Sequence, residues 1–195
     1  MHDSIHIRPA QPGDAEVASA LLYSAYMHTP VTYPLREELA SGWIERLEHF
    51  FRQDGNRFSY QNIQLAQHSS EVVGLVLSFG GRDEPRLNAA LGSWLQREAQ
   101  DDEWYIDALA VLSNWGHKGI GTLLLQMAEQ QARQHHYPKI ALNVAQGNQQ
   151  AVDLYRHLHY VVTQQTFLYQ HPHVRMVKTL ENQEQGNLAT ERRPQ

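Results

Sequence analysis

The fold is decided by residues 104–121, which read WYIDALAVLSNWGHKGIG. Residues 104–111 form a nearly continuous apolar run, which is typical of a strand at the centre of a sheet. Glycines follow at positions 116, 119 and 121, and apolar residues then recur at helical spacing from Ile120 to Ala132. The stretch therefore predicts a strand, a glycine-rich turn and a helix in direct succession.

Further helices are predicted on both sides of this stretch. Two amphipathic helices follow a short opening strand, and the second covers residues 35–52. The residues of this second helix expected to face inward are Leu39, Trp43, Leu47 and Phe50 or Phe51. Residues 82–102 form a long polar connection with a short helix near residues 87–95, and a last helix begins after the capping residue Asn148.

The strands complete a mixed α/β fold. They are predicted at residues 5–7, 63–66, 72–79, 104–111, 140–144, 161–169 and 174–180. The order of elements, βααβββαβαββ, contains a right-handed crossover between the strands 104–111 and 140–144. Residues 1–180 are expected to form a single domain, and residues 181–195 a polar, disordered tail.

Composition excludes several classes of protein. The chain has 195 residues, a net charge of −5 and 0 Cys, which rules out disulfides, thiolate zinc sites and a cysteine nucleophile. The acidic balance argues against a nucleic-acid partner, because phosphate binding needs a basic face. No apolar run approaches the roughly 18–20 residues of a membrane-spanning helix, and the N-terminus lacks a secretory signal. We therefore expect a cytoplasmic protein with no membrane partner.

The glycine-rich turn before Ile120 is a candidate phosphate site. Glycines let backbone N–H groups approach a ligand, and a helix N-terminus adds unpaired N–H groups and a positive dipole end. A Walker A loop is absent, and the spacing G-x-x-G-x-G differs from the dinucleotide-binding spacing G-x-G-x-x-G. Coenzyme A is the third possible ligand, and a turn that merely packs a helix on a strand is the structural alternative.

Several segments together resemble the GNAT superfamily of N-acetyltransferases. The resemblance covers about residues 5–180 in family order, and its segments are Ile7–Ala10 with Asp14, Val72–Leu75, residues 104–121, Asn148–Tyr155 and Met176–Leu180. It implies a GNAT-like acyl-CoA N-acyltransferase fold, a mixed sheet of six to seven strands flanked by about four helices. Gly116 stands where the family has Arg or Gln, and His117 where it often has Gly. The coenzyme is therefore expected to be held more by backbone amides than by a side chain.

The resemblance implies an acyltransferase that moves an acetyl group from acetyl-CoA to a primary amine by direct attack. The acceptor is a small molecule, a protein N-terminus or a lysine. A non-catalytic acyl-CoA-binding or regulatory module with the same fold is the alternative, and a nucleotide-binding protein is a third hypothesis. The expected coenzyme contacts are Leu109, Ala110, Val111, Gly116, His117, Lys118, Gly119, Ile120, Gly121, Thr122, Asn143, Asn148 and Tyr155. The N–H near Leu109 is expected to stabilise the oxyanion of the attacked thioester.

Candidate acid and base groups lie on the last helix and the central strand. Tyr155 is the expected general acid, since a phenol of pKa ~10 can return a proton to a thiolate whose conjugate acid has a pKa of ~8.5. Core packing is the alternative role of Tyr155. Asp107 and Glu103 are the candidate bases, because they share one face of the strand with Tyr105. The alternative for Glu103 is a solvated acidic loop.

Aromatic and histidine residues complete the expected site. Tyr26, Tyr33 and Trp94 are expected to line the acceptor pocket, with ordinary packing as the alternative. The paired histidines lack a third ligand at diagnostic spacing, so no metal is expected. The expected partners are an amine-bearing acceptor and, since dimers are unsurprising in the family, a second copy of the chain.

Overall fold

Seven strands form one mixed sheet in the computed structural model, which describes residues 4–27, 41–92 and 95–181. The strands are β1 His6–Pro9, β2 Ile63–His68, β3 Glu71–Gly80, β4 Glu103–Val111, β5 Lys139–Ala145, β6 Val161–Leu168 and β7 His171–Thr179. Their order across the sheet is β1-β2-β3-β4-β5-β7-β6. Only β4 and β5 pair in parallel within the described sheet, which confirms the predicted mixed topology.

Five α-helices flank the sheet in the described part of the chain. They are α1 Ala15–Met27, α2 Ser41–Phe51, α3 Glu84–Ala89, α4 Ile120–Gln134 and α5 Gln149–His157. The predicted fold class is confirmed, with seven strands and one more helix than the expected four. Helix α3, predicted near residues 87–95, starts earlier at Glu84, because Pro85 in its first turn fixes the backbone for a helix start. Residues 182–195 of the predicted tail lie outside the described residues.

The helices form two layers on opposite faces of the sheet. Leu21 of α1 and Phe51 of α2 are fully buried in one hydrophobic cluster, and Leu124 of α4 and Val152 of α5 are buried in the other. No helix among the described residues is both long and apolar enough to cross a membrane. The sheet therefore separates an α1/α2 side from an α4/α5 side.

The inward face of α2 differs from the predicted one at Trp43. Ile44, Leu47 and Phe51 are buried, whereas 48% of Trp43 is exposed. The prediction for Trp43 is wrong because that residue lies about 40° of helix rotation beyond Leu47, just outside the buried stripe. Its ring is instead covered by the guanidinium of Arg46, 5.8 Å from the ring centre. Leu39 lies outside the described residues.

Strand β4 contains a β-bulge at Asp107. Leu77 of β3 pairs with Ala108, but the next residue, Ser78, pairs with Ile106, so Asp107 is an extra residue in β4. Before the bulge Tyr105 belongs to the α1/α2 core, and after it Ala108 takes that side. The bulge therefore shifts which residues of β4 face each helical layer.

The same position marks the end of the pairing between β4 and β5. Their parallel register runs from Glu103 opposite Lys139 to Ile106 opposite Leu142. Strand β5 continues to Ala145 through its pairing with β7 alone. The carboxyl ends of β4 and β5 therefore separate, and the glycine-rich turn and the start of α4 follow directly from the freed end of β4.

Candidate active site

A groove of about 970 Å³ lies where β4 and β5 separate. Its walls come from the end of β4, the turn before α4, the first turn of α4 and one side of α5. The predicted coenzyme residues that line it are Leu109, Ala110, Val111, Gly116, His117, Gly119, Ile120, Gly121, Thr122 and Asn148. The structure therefore brings most of these predicted residues together around one cavity.

Residues that were not predicted also line the groove. Helix α5 contributes Ala151, Leu154 and His157 at intervals of three residues. The spacing of Ala151 and Leu154 was visible in the sequence and could have indicated this wall. Ser24 and Ala25 of α1 close the groove from the other side. Nothing in the sequence around α1 signals this contact, because it arises only when α1 packs across the end of β4.

The turn before α4 offers unpaired backbone donors to the groove. Gly119 has a left-handed backbone, with φ of 78°, and caps α4 without a side chain. The Gly116 N–H donates to the Ser113 carbonyl at 3.3 Å, whereas the N–H groups of residues 117–122 donate to no residue within the described ranges. These N–H groups and the positive end of the α4 dipole are suited to bind an anion.

Gly121 keeps the groove open between β4 and α5. A Cβ at this position would lie 3.4 Å from a methyl of Leu154 and 4.0 Å from a methyl of Leu109. Any larger side chain would therefore fill the space between the two walls. A glycine here leaves room for a ligand chain to pass beside the anion-binding turn.

Lys118 lies beside the turn but does not line the groove. Its ammonium nitrogen is 4.2 Å from the ring centre of Trp115, and the His68 ring centre is 4.7 Å from that of Trp115. The cation–π contact holds a positive charge against the aromatic side of the turn. Trp115 itself is part of the groove wall.

Two other predicted coenzyme residues also lie away from the groove lining. Tyr155 is 7% exposed and packs against Tyr160, with ring centres 5.8 Å apart. Burial raises the pKa of the Tyr155 hydroxyl, which therefore keeps its proton at neutral pH. The Asn143 amide donates to the Tyr105 hydroxyl at 3.0 Å and to the Glu98 carboxylate at 3.4 Å.

Asn148 has the capping role predicted for it. Its side-chain oxygen accepts the Ala151 N–H at 3.2 Å, which satisfies a free donor at the start of α5. Because Asn148 also lines the groove, capping and ligand contact are compatible at this position.

A buried ionic cluster lies on the α1/α2 side of the bulge. Arg57 is 2% exposed and follows α2 in the connection to β2. Its Nε–H donates to Asp107 Oδ2 at 2.8 Å, and an Nη2–H donates to the other oxygen of Asp107. The same guanidinium contacts Glu98 at 2.9 Å and Glu84 at 3.2 Å. Arg57 comes from the connection between α2 and β2, whereas Glu84, at the start of α3, and Glu98 both lie between β3 and β4. Sequence reasoning missed all three.

Charge and burial oppose each other within this cluster. Burial by itself would lower the pKa of Arg57, but the charge and hydrogen bonds of Asp107 outweigh it and hold that pKa well above its ordinary value. Burial raises the pKa of Tyr105, which donates to Glu98 at 2.8 Å, and the nearby negative charges raise it further. Burial also raises the pKa of Glu84, although the N–H groups of Glu98 and Ala99 partly oppose this shift. Arg57 therefore stays charged at every accessible pH.

The two candidate bases occupy different environments. The Glu103 carboxylate is fully buried, pairs with Arg175 and accepts the Gln100 N–H at 2.7 Å. It lies at the paired end of β4, about 13 Å along the strand from Asp107. Asp107 lies at the bulge and also accepts the Tyr26 hydroxyl at 2.7 Å. The structure therefore separates Glu103 from the open end of the sheet.

Tyr26 is the one predicted acceptor-pocket residue that the structure describes. It is 37% exposed and makes an edge contact with Phe58, with ring centres 5.8 Å apart. Tyr33 and Trp94 lie outside the described residues. Within the described ranges, no group of three or more His, Cys, Asp or Glu side chains is placed to hold a metal ion.

Comparisons with known proteins agree on one family. The model of the acetyltransferase (GNAT) family matches residues 22–160. The N-acetyltransferase from Staphylococcus aureus Mu50 superposes with a TM-score of 0.73 at 24% identity over 89% of this chain and 100% of that one. A second acetyltransferase gives a TM-score of 0.73 at 23% identity over 90% of this chain and 100% of that one.

A more distant likeness is to the NatC complex bound to Gag peptide and CoA. It has a TM-score of 0.57 at 17% identity over 91% of this chain and 99% of that one. No curated protein matches the sequence. At these identities the solved structures show a shared fold.

Proposed function

The chain belongs to the acetyltransferase (GNAT) family, and from this we propose that it transfers an acetyl group from acetyl-CoA to a primary amine by direct attack on the thioester. The observation that carries the proposal is the set of N–H groups that line the groove and have no acceptor among the described residues, those of His117, Gly119, Ile120, Gly121 and Thr122. These donors suit the diphosphate of coenzyme A, and Gly121 leaves space for its pantetheine arm. Gly116 has no side chain to contact the diphosphate, so backbone N–H groups are the proposed donors to it.

We propose that the end of β4 receives the thioester. Beyond Ile106 this strand has no register partner in β5, so its free edge is available to a bound acyl chain. The Leu109 N–H is the proposed donor to the oxyanion that forms when the amine attacks the carbonyl. One such preorganised donor contributes roughly 3–4 kcal/mol to transition-state stabilisation.

Tyr155 remains the proposed general acid. Its hydroxyl carries a proton at neutral pH, as an ordinary tyrosine does, and we propose that this proton passes to the departing thiolate. Its neighbour Leu154 lines the groove but Tyr155 does not, so the proposal requires the hydroxyl to reach the thiolate from behind that wall. Asn143 and Lys118 are proposed only as nearby groups, since neither lines the groove.

Asp107 is the proposed carboxylate for the acceptor amine. It accepts three hydrogen bonds from Arg57 and Tyr26, which occupy three of its about four lone-pair positions. The remaining position is on Oδ1 of a side chain that is only 4% exposed, so the proposal requires the amine, or a water that takes its proton, to reach the carboxylate there. The enclosure of Glu103 by Arg175 and Gln100 supports a structural role for that residue instead.

A coenzyme assay with an amine panel tests the proposal. Calorimetry is expected to detect binding of acetyl-CoA and no comparable binding of ATP. Thiol release on addition of small primary amines, then of peptides with free N-termini or lysines, identifies the acceptor class. Binding of acetyl-CoA without thiol release from any amine would point to the non-catalytic module, and absence of acetyl-CoA binding would refute the proposal.

A further inference from the structure

Every donor of Arg57 is taken by the protein itself. A guanidinium has five N–H donors. Nε and Nη2 serve Asp107, Nη2 also serves Glu98, and Nη1 serves Glu84 and Asn88 at 3.2 and 3.4 Å. No donor remains for a carboxylate on a substrate. Arg57 therefore orients groups of the chain and is not an anchor for a ligand.

The connection that carries Arg57 is fixed by two side-chain amides. The Asn56 amide nitrogen donates to the Phe50 carbonyl at 2.8 Å, and its oxygen accepts the Phe58 N–H at 2.9 Å. The Asn62 amide donates to the Arg57 carbonyl at 3.0 Å, and the Arg57 N–H donates to Leu87 at 3.2 Å. The backbone on both sides of Arg57 is thereby held in one conformation.

Stability alone gives little reason for this buried charge. Removing a guanidinium and several carboxylates from water costs free energy that their mutual attraction often fails to recover, and apolar residues can fill the same volume. A buried ion pair does fix an orientation, because Arg and carboxylate meet in a two-pronged geometry. Here the fixed group is Asp107, the extra residue at the point where β4 leaves β5.

The neighbour of Arg57 positions the other side chain at this carboxylate. Phe58 packs at 80° against the Tyr26 ring, whose hydroxyl donates to Asp107 Oδ2 at 2.7 Å. Of two consecutive residues, Arg57 therefore binds Asp107 directly and Phe58 packs against its other partner, Tyr26. Only one lone-pair position of the carboxylate is left open, so the direction of a further hydrogen bond is set.

We propose that Arg57 is a positioning residue for acetyl transfer, which holds the Asp107 carboxylate at the β4 bulge so that its open lone pair aims the acceptor amine at the thioester. This inference rests on the proposed function. Loss of Arg57 removes two of the three hydrogen bonds to Asp107 and lets the carboxylate rotate. Since a displacement of about 1 Å can cost 10²-fold in rate, we expect kcat to fall by about that factor.

Binding of the coenzyme is expected to be independent of Arg57. Its described partners Asp107, Glu84, Glu98 and Asn88 do not line the groove. The dissociation constant for acetyl-CoA should therefore change less than about threefold, or ~0.7 kcal/mol. A residue needed only for folding would lower both properties together.

The test is a double-mutant cycle on the full chain. Arg57→Lys and Arg57→Met are each made alone and with Asp107→Asn, and kcat, KM for the amine and the acetyl-CoA dissociation constant are measured. Arg52→Met is the matched control, because Arg52 directly follows α2, its side chain is 49% exposed, and its ion pair among the described residues is with half-buried Glu48 at 2.9 Å. If Arg57→Met does not fold, the double-mutant cycle is measured with Arg57→Lys alone. That variant keeps the positive charge but loses the two-pronged contact with Asp107.

We expect the effects of the Arg57 and Asp107 substitutions on kcat to be non-additive. Arg57→Lys should lower kcat at least tenfold in the native background and less than twofold beside Asp107→Asn, with acetyl-CoA affinity retained. Equal losses in both backgrounds, or a loss of acetyl-CoA affinity that follows the loss of kcat, would overturn the inference. A wild-type chain that binds acetyl-CoA but releases no thiol with any amine would instead refute the proposed function, on which this inference rests.

Discussion

Asp107 accepts hydrogen bonds from Arg57 on both carboxylate oxygens, at the residue where β4 bulges and its pairing with β5 ends. One side chain thus connects a rigid ionic cluster on the α1/α2 side to the open end of the sheet. The groove that begins there is lined by N–H groups of the turn before α4 that have no acceptor among the described residues. The carboxylate and the anion-binding turn are therefore placed by the same break in strand pairing.

Gly119→Ala tests the backbone of the turn. A φ of 78° is strained for any residue with a Cβ, at a cost of about 1–2 kcal/mol. We expect the free energy of unfolding to fall by about 1 kcal/mol and acetyl-CoA affinity to fall about tenfold, because the N–H groups lose their alignment. Calorimetry and urea unfolding measure the two effects. The control is Gly42→Ala, where a Cβ meets nothing within 4 Å and no positive φ is involved; affinity equal in both variants would contradict the assignment of the turn.

Tyr155→Phe tests the proposed general acid. Turnover should fall by about 10²-fold while acetyl-CoA affinity stays unchanged, because only the hydroxyl proton is removed. Steady-state kinetics and calorimetry separate the two quantities, with Tyr137→Phe as the control at the far end of α4. Turnover equal to that of the native chain would remove this role from Tyr155.

The alkaline side of the rate profile gives a second test of Tyr155. Burial raises the pKa of its hydroxyl above the ordinary value, so the acid form persists at higher pH than for an exposed tyrosine. We expect no loss of kcat from tyrosine ionisation below about pH 10. A decline of kcat that begins below this pH and is absent in Tyr155→Phe would mean that the hydroxyl ionises more easily than its environment predicts.

Asp107→Asn and Glu103→Gln separate the two candidate bases. Asp107→Asn should lower kcat at least 10²-fold, because it removes the charge and the open acceptor position beside the amine. Glu103→Gln leaves Arg175 buried beside an uncharged partner, so it should lower the free energy of unfolding by about 3–5 kcal/mol. Turnover per folded molecule should remain near that of the native chain. A large loss of turnover in a folded Glu103→Gln protein would reverse the two roles.

Asp14 supports a prediction on stability against pH. Hydrogen bonds from Arg8 at 2.7 and 2.8 Å hold the pKa of the Asp14 carboxyl below its ordinary value. Because the folded pKa is lower than the unfolded value of about 3.9, the pair stabilises the native state above that pH. This stabilisation is lost as the pH falls through the lowered folded pKa.

Asp14→Asn is therefore expected to destabilise the chain by about 1 kcal/mol at pH 7. Urea unfolding curves for the two proteins should converge as the pH is lowered below about 3. Asp83→Asn is the control, because the Arg86–Asp83 pair is exposed on both sides and should contribute nothing measurable. A difference for Asp14→Asn that is the same at pH 3 and pH 7 would exclude the charged pair as its cause.

The predictable parts of this protein are those with local patterns. The strand, turn and helix of residues 104–121 follow from an apolar run, glycines and helical spacing within one segment. The groove residues Leu109 to Val111 and Gly119 to Thr122 were found for the same reason, since they belong to that segment. The prediction for Trp43 is wrong because the sequence pattern does not distinguish an aromatic residue at the edge of an apolar helix face from one within it.

The ionic cluster could not be predicted in this way. Arg57 is far in sequence from Glu84, Glu98 and Asp107, and it meets their carboxylates only after the α2–β2 connection packs against the β3–β4 segment and β4. A single arginine in a connection, such as Arg57, is predicted from sequence to be exposed to solvent. Its burial depends entirely on the tertiary fold. The bulge that turns Asp107 toward it also has no glycine to mark it in the sequence.

A crystal structure of the chain with acetyl-CoA tests the central claim most directly. The account predicts the diphosphate within hydrogen-bond distance of N–H groups of residues 117–122, and the thioester beside the free edge of β4 near Leu109. A coenzyme bound elsewhere, with this turn unchanged and its N–H groups facing only solvent, would contradict the account.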